Sequence, residues 1–504
     1  MKKNNFLKTL IITILHICIT FFTDKYAFGD TIKEHLPMYF FIKTLLFILL
    51  FTFYYQILEI LKGIKEKNKE TITLVKIFAF VFGINFLFSI ILFPGNWLAD
   101  EIDIFKFTKE LNIFYWQGWL SSIFFMLSRS LFPVPYTVVF LQILIISAII
   151  SYITNEFYKI YKNKFIFMLP IFLSFPVFIA HNLFTQRCSI LAYFELFLLA
   201  TLYFWYKKGT QISNKSLIIF TIFTILFCSW RSETIFSFII FSLVLLTFKS
   251  SQIRKKIVII YLIICSFFIS VFTFIQIKGL NEQNHNGASY YKFVSLMPTI
   301  ANTILDDNYP QYLKVNNQQI IQICSEIKKD QQKVWEYEKE LTEDTINEIM
   351  RVSLIYLKKD FTRIAKQKLY EYATMEKSFL VTQANDYKNN PDFSFLQKDN
   401  NAKIVSLLGA TEDSANNKSI NILYKPIFYT SLFFIILLFS LISRNIGLFA
   451  ISVFYILHSF ALILSVPTIT ISMYFFFSFV GAKVFLLVAL IDIYEKFRKH
   501  LIQK

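Results

Sequence analysis

The sequence predicts an all-α polytopic membrane protein with about twelve transmembrane helices and one helical extracytoplasmic domain late in the chain. Three observations carry that reading. The 504-residue chain is 55% hydrophobic with a mean hydropathy of +0.52, too apolar for a soluble globular domain. Its apolar residues fall in runs near the ~20 that an α-helix needs to cross a hydrocarbon core. Its lysines and arginines gather in short links beside those runs, the charge asymmetry that orients membrane helices.

Taken in order, apolar runs begin near residues 5, 38, 72, 133, 165, 187, 216, 233, 257, 423, 446 and 467. The first could also be a signal peptide cut after Ala27 and Gly29, but Asp24 and Lys25 interrupt it. The stretches 165–206 and 216–248 each read as two helices joined by a tight polar turn, "HNLFTQRC" and "WRSE". With the amino terminus inside, the basic links "KGIKEKNKE", "YKIYKNKF", "WYKKG" and "KSSQIRKK" and the tail "EKFRKHLIQK" all fall inside. Both termini are then cytoplasmic. A transmembrane module, 1–278, thus carries an acidic outer loop at 94–119. An extracytoplasmic domain follows at 279–422, then closing spans and a basic tail at 423–504.

The late domain is polar but patterned. Ile346, Met350, Leu354, Leu357, Phe361 and Ile364 keep helical spacing, with Thr345 and Glu348 placed as a capping box. Residues 313–340 also read as helical, whereas "ANDYKNNPDFSF" and "ATEDSANNKS" read as loops. Five scattered cysteines without a C-x-x-C pair exclude a zinc site or disulfide framework, and leave Cys324 as an unpaired thiol. The net charge of +17 is accounted for by topology, so no nucleic-acid partner is implied. No P-loop, dinucleotide fingerprint or H-E-x-x-H is present.

Polar groups are costly in a membrane protein unless satisfied or functional, and here they collect at one depth. Asp100, Glu101 and Asp103 follow the third span, and Arg129 precedes the fourth. His181 and Arg187 join the fifth to the sixth, and Arg231 and Glu233 join the seventh to the eighth. A carboxylate there could serve as general base toward an acceptor hydroxyl, a role worth ~10²–10⁴-fold. Arginines could hold a departing phosphate. Trp97, Tyr115, Trp116 and Trp119 could stack on sugar faces, but interfacial anchoring explains such aromatics as well. Span-end arginines also snorkel to headgroups, and His181 reads as a local hydrogen-bonding residue. Glu195 and Lys483, both inside spans, are candidates for a pair.

These stretches resemble the GT-C superfamily of multi-pass, polyprenyl-phosphate-sugar-dependent bacterial glycosyltransferases, over most of the first 250 residues. "PGNWLADE" is similar to their first outer loop, and "LSSIFFMLSRSLFPVPYTVV" to the half-helix and span after it. "LFTQRCSILAYFELFLL" and "CSWRSETIFSFIIFSLVLL" resemble later junctions with Arg before a helix. The resemblance implies Asp100 as catalytic base and Glu101 as a second acid, which orients the acceptor or binds a divalent metal (Mg or Mn) with Asp100. Arg187, Arg231 or Lys425 would hold the donor phosphate. Trp97, Asp103, Trp116 and Glu233 would contact substrate. Donor and acceptor are then a polyprenyl-phosphate-linked sugar and a cell-envelope glycan, lipid or protein, met at the outer face of the bacterial cytoplasmic membrane among its lipids. One departure stands out: where bacterial members carry an Arg-Tyr pair late in the chain, this sequence reads Met473-Tyr474.

Two alternatives remain. An O-antigen ligase or polymerase is suggested by "NHNGASYYKFVSL", with His285 and Asn286, but Met297 and Pro298 stand where the accompanying Gly is sought. A twelve-span transporter or flippase would place its polar groups near the midplane and repeat itself internally, and no such repeat is visible.

Overall fold

A computed structural model describes residues 2–97, 99–231, 234–249, 251–283, 301, 318–329, 337, 341–359, 361–373, 425–465 and 472–502. These residues are all-α, as expected; the one β-type contact among them is an isolated parallel bridge between Asn96 and Phe184.

The first half comprises α1 (Lys2–Phe28), α2 (Leu36–Lys65), α3 (Lys69–Ile91), α4 (Ala99–Lys109), α5 (Trp119–Leu131) and α6 (Tyr136–Tyr161). Next come a helix broken into α7 (Met168–Phe172) and α8 (Pro176–Asn182), then α9 (Arg187–Lys208) and α10 (Asn214–Trp230). After these lie α11 (Ile235–Thr247) and α12 (Lys255–Gln283). Between α12 and the closing helices lie α13 (Gln318–Lys329), α14 (Glu343–Lys359) and α15 (Phe361–Ala373). The chain closes with α16 (Pro426–Ser443), α17 (Ile446–Ser465) and α18 (Phe476–Ile502).

Nine of the described helices are long and apolar enough to cross a membrane: α1, α2, α3, α6, α9, α12, α16, α17 and α18. The pair Lys164–Phe172 and Pro176–Asn182, bent by 62°, passes the same test together, as a broken span or a re-entrant loop, and α10 and α11 are shorter apolar helices. These elements run alternately between two ends. At one end Lys159 bridges Glu70 and Glu156 at 2.9 Å each, Lys208 meets Glu156 at 2.6 Å, and Lys207 meets Asp492 at 2.8 Å. Asn445 donates to the same Asp492, and Asn5 donates to Glu59. At the other end the 94–119 loop meets the starts or ends of α1, α5, α8, α9, α10 and α12. The expected tight turn at 181–188 lies there, with α8 ending at Asn182; α10 ends there at Trp230, and residues 232–233 of the second expected turn lie outside the described residues.

Apolar helices gain little from meeting one another in lipid, so close packing and polar ties decide their arrangement. Asp24, which interrupts the first apolar run, is such a tie. It accepts from Lys43 at 2.6 Å and from the Tyr39 hydroxyl at 2.5 Å, welding α1 to α2. The short helices matter for the site. At ~1.5 Å per residue α10 spans roughly 25 Å and α11 roughly 20 Å, less than the ~30 Å hydrocarbon core. Arg231 follows α10 directly, at the end where the 94–119 loop packs.

In the late segment, α14 begins at Glu343, and the N–H of Thr345 is met by the Thr342 hydroxyl at 3.3 Å. This corrects the expected capping box: Thr342 caps the helix, while Glu348 pairs with Arg351 one turn on at 2.7 Å. Tyr372 of α15 bonds Thr430 of α16 at 2.7 Å and packs on Phe475, so this helix is fastened to the spans. Cys324 is a free, buried thiol, which burial pushes up to about 12.

Candidate functional site

The 94–119 loop is built by three local causes. Asn96 pairs through its backbone with the α8–α9 connection: its N–H donates to Leu183 at 3.0 Å, and its carbonyl accepts from Thr185 at 3.1 Å. Asp100 and Glu101 occupy the first turn of α4, where the helix dipole favours anions. Gly118 then turns the chain into α5 at φ +86°, a left-handed conformation that glycine tolerates. A Cβ at Gly118 would lie 2.8 Å from Arg187 Nη1 and 2.9 Å from the Trp230 carbonyl, so the turn also needs its bareness.

That turn brings the pieces together. The Gln117 side chain donates to Asp100 Oδ2 at 2.5 Å, while its own backbone carbonyl accepts from Arg187 Nη1. Arg187 also reaches the Trp230 carbonyl at 3.4 Å. One residue therefore sets a carboxylate and a guanidinium beside each other. Arg187 opens α9, an end where the dipole disfavours a cation, so these carbonyls and the nearby acid offset an unfavourable placement. Burial pushes the Asp100 carboxyl above the ordinary carboxylate range; Arg187 draws it down, Asp103 adds to the rise, and Gln117 again opposes it.

Asp100 itself is partly exposed, whereas Glu101 is 1% exposed and lines a cleft with Gln117, Ser121, Gln142, Arg187 and Trp230. The Trp230 indole N–H donates to Ser121 at 2.8 Å. From α6, Gln142 donates to the carbonyls of Asn182 and Phe184 at 3.0 and 2.7 Å, holding the α8–α9 connection against the cleft. The cleft is closed down and admits only water-sized groups.

The loop is also fastened to α12. Gln276 donates to the Tyr115 carbonyl and accepts from the Trp119 N–H at 2.9 Å, and Gln283 accepts from the Tyr115 N–H at 2.9 Å. Between them the Tyr115 ring lies on Gly279, where an added Cβ would run into it.

Several expected site residues lie elsewhere. Trp97 is 0% exposed, packed edge-on against Phe105 and Phe125, with its N–H on the Pro94 carbonyl at 3.1 Å. It is a core residue and presents no face to a sugar, which corrects its expected substrate-binding role. Trp119 is buried against Phe272, and Trp116 is half-buried. Asp103 is half-exposed and pairs with Lys106 at 3.4 Å. Lys425 precedes the first turn of α16 and lines neither this cleft nor the neighbouring cavity around Glu195. Glu233, His285 and Asn286 lie outside the described residues. Arg129 is buried, lies 3.7 Å over the Phe105 ring, and donates to the carbonyls of Ala27 and Phe105, tying α5 to α1 and α4.

Arg231 lies on the far side of the same turn from Trp230. Its guanidinium sits 4.5 Å over the Tyr474 ring and donates to Cys188 Sγ at 2.8 Å. Arg231 and Tyr474 are thus brought together from two segments far apart in the sequence. Arg231, Tyr474 and Cys188 line a second cavity with Glu195 and His458. Glu195 lies 2.8 Å from His458, not beside Lys483, whose ammonium lies 5.8 Å over the Tyr429 ring. His181, expected to hydrogen-bond locally, stacks on Phe476 at 3.6 Å.

Among the described residues no three His, Cys, Asp or Glu side chains converge as a metal site. A divalent ion at Asp100 and Glu101 would have to complete its shell with substrate phosphate oxygens and water, as Mg²⁺ commonly does. Comparison with family models, with curated proteins and with solved structures finds no match for this chain.

Proposed function

We propose that the protein is an integral-membrane glycosyltransferase, moving a sugar from a polyprenyl-phosphate carrier to a cell-envelope acceptor on the outer face of the bacterial cytoplasmic membrane. The observation that carries this reading is Gln117, whose two ends fix Asp100 and Arg187 side by side. Asp100 takes the proton of the acceptor hydroxyl as that oxygen bonds the anomeric carbon. The bond from that carbon to the carrier phosphate oxygen breaks, and Arg187, which lines the cleft, meets the departing negative charge. A base raised by burial is better matched to neutral pH than an ordinary aspartate. A divalent ion, where one is bound, would add charge stabilisation at the phosphate.

Because the cleft admits only water-sized groups, sugar entry requires the 110–118 stretch to lift from α12 or α9. The test compares envelope glycans and lipid-linked sugars in a deletion strain carrying wild type, Asp100→Asn or Arg231→Ala. Loss of one sugar with its lipid-linked donor accumulating, unrescued by Asp100→Asn at normal membrane yield, supports the reading. Normal glycan made by Asp100→Asn removes Asp100 from the mechanism. Loss of only the polymerised or ligated glycan, rescued by Asp100→Asn, moves the reading to a ligase using His285.

A further inference from the structure

The second cavity holds an acid inside the hydrocarbon zone. Glu195 lies about two turns into α9, roughly 12 Å from its start, and His458 lies at similar depth in α17. Glu195 Oε2 and His458 Nδ1 approach to 2.8 Å, with the side chains 1% and 4% exposed. The imidazole stacks on Phe477 at 3.9 Å and meets Phe236 edge-on at 5.1 Å. This contact lacks hydrogen-bond alignment, and Glu195 Oε1 has no hydrogen-bond partner among the described residues. A purely structural polar tie would satisfy its buried atoms, so the orphaned oxygen asks for an explanation.

Around the pair stand Arg231 from the α10–α11 turn, Cys188 from α9, Cys228 from α10, Tyr455 from α17 and Tyr474. Arg231 is the fixed cation among the lining residues and Glu195 the acid. The space between them takes a water or two and no organic solute. Water held there would find polar partners in Glu195 Oε1, Arg231 and Thr234, as a buried water requires. Size excludes a sugar or lipid headgroup as the ligand, and the described donors form no metal cluster. What fits is a proton.

We propose that Glu195 and His458 form an intramembrane proton-binding site, reached through water from the Arg231 end of the cavity. One proton shared between carboxylate and imidazole leaves the pair neutral overall, and a second makes it a cation facing Arg231. Uptake of that second proton therefore works against the Arg231 charge, which links the occupancy of this site to any anion that Arg231 meets. The site stands whether or not the transferase reading does.

The test is infrared difference spectroscopy on the full-length protein in lipid nanodiscs, stepped in pH. The expected result is a glutamate protonated-carboxyl band that rises as pH falls, with a change in the imidazole ring bands alongside it. Glu195→Gln should abolish the carboxyl band. His458→Gln should move its midpoint by about one pH unit or more, a tenfold change in proton affinity. Asp100→Asn should leave it in place, separating this carboxyl from the one in the cleft. Should Glu195→Gln fail to fold, wild type with carboxyl-¹³C glutamate must still shift the band. No titrating glutamate band, or a midpoint indifferent to His458→Gln, overturns the proposal.

Discussion

Replacing Gln117 with leucine keeps roughly the volume and the backbone carbonyl that holds Arg187, but removes the donor on Asp100. A hydrogen bond to a charged group contributes about 1.5–3 kcal/mol, and one pH unit corresponds to about 1.36 kcal/mol. Without that donor to favour its ionised form, the Asp100 carboxyl, already raised by burial, should rise further. The sign is opposite for activity and stability. The base works only when ionised, so transfer falls as pH drops through the raised pKa, and Gln117→Leu should move this acid limb upward. Stability is favoured below the unfolded value of 3.8 and erodes as pH rises through the folded one, because burial favours the neutral acid. The assay is the pH profile of sugar transfer from lipid-linked donor in membrane vesicles, beside thermal unfolding over the same range. An unmoved acid limb at normal yield would refute the linkage between Gln117 and a basic Asp100.

Further expectations follow from contacts elsewhere. Gly279→Leu drives a side chain into the Tyr115 ring, an overpacking cost of about 1–3 kcal/mol, and should open the 110–118 stretch to limited proteolysis; unchanged protection would mean that the loop is held without α12. Trp97→Ala should cost about 3–5 kcal/mol in detergent unfolding, whereas a well-folded variant altered only in substrate affinity would restore Trp97 as a sugar contact. Asp24→Leu and Lys43→Met should each destabilise by about 3–5 kcal/mol, with most of that recovered when both are combined; additive losses would deny the pairing. Arg231→Lys should behave as a loss, since an ammonium replaces a planar guanidinium lying on Tyr474; wild-type envelope glycan from this variant would count against that role.

The spans were legible because hydropathy is local: each run declares itself without knowledge of its neighbours. The acidic loop was legible for a related reason, since three acids beside a span end break a local rule. What failed was pairing across sequence. An interfacial tryptophan and a core tryptophan share the same composition nearby, so Trp97 could not be told from Trp116 until Phe105 and Phe125 closed on it. Glu195 found His458 rather than Lys483 because helix order around the bundle, invisible in the chain, decides which faces meet. Other contacts do leave a signal in the sequence. Gln276, Gly279 and Gln283 share one face of α12, and a bare glycine between two glutamines marks a close approach. Gln117-Gly118 within an aromatic stretch marks a turn in the same way.

The two cavities stand back to back. Successive residues at a helix start point about 100° apart, so Arg187 and Cys188 diverge, and Trp230 and Arg231 diverge across the α10 terminus. Arg187 and Trp230 accordingly line the cleft of Glu101, while Cys188 and Arg231 line the cavity of Glu195. One α9 start and one short turn thus form a common wall, and the two arginines are its opposite faces. Coupling between the cavities would have to pass through that wall, whose stiffness comes from Arg187 on two carbonyls and Thr234 on those of Phe227 and Arg231. A double-mutant cycle on Arg187→Gln and Arg231→Gln decides whether it does. Additive effects on glycan output, within about 0.5 kcal/mol, would mean two independent sites. A larger interaction term would mean that the two arginines act together across the α9 start that both cavities share.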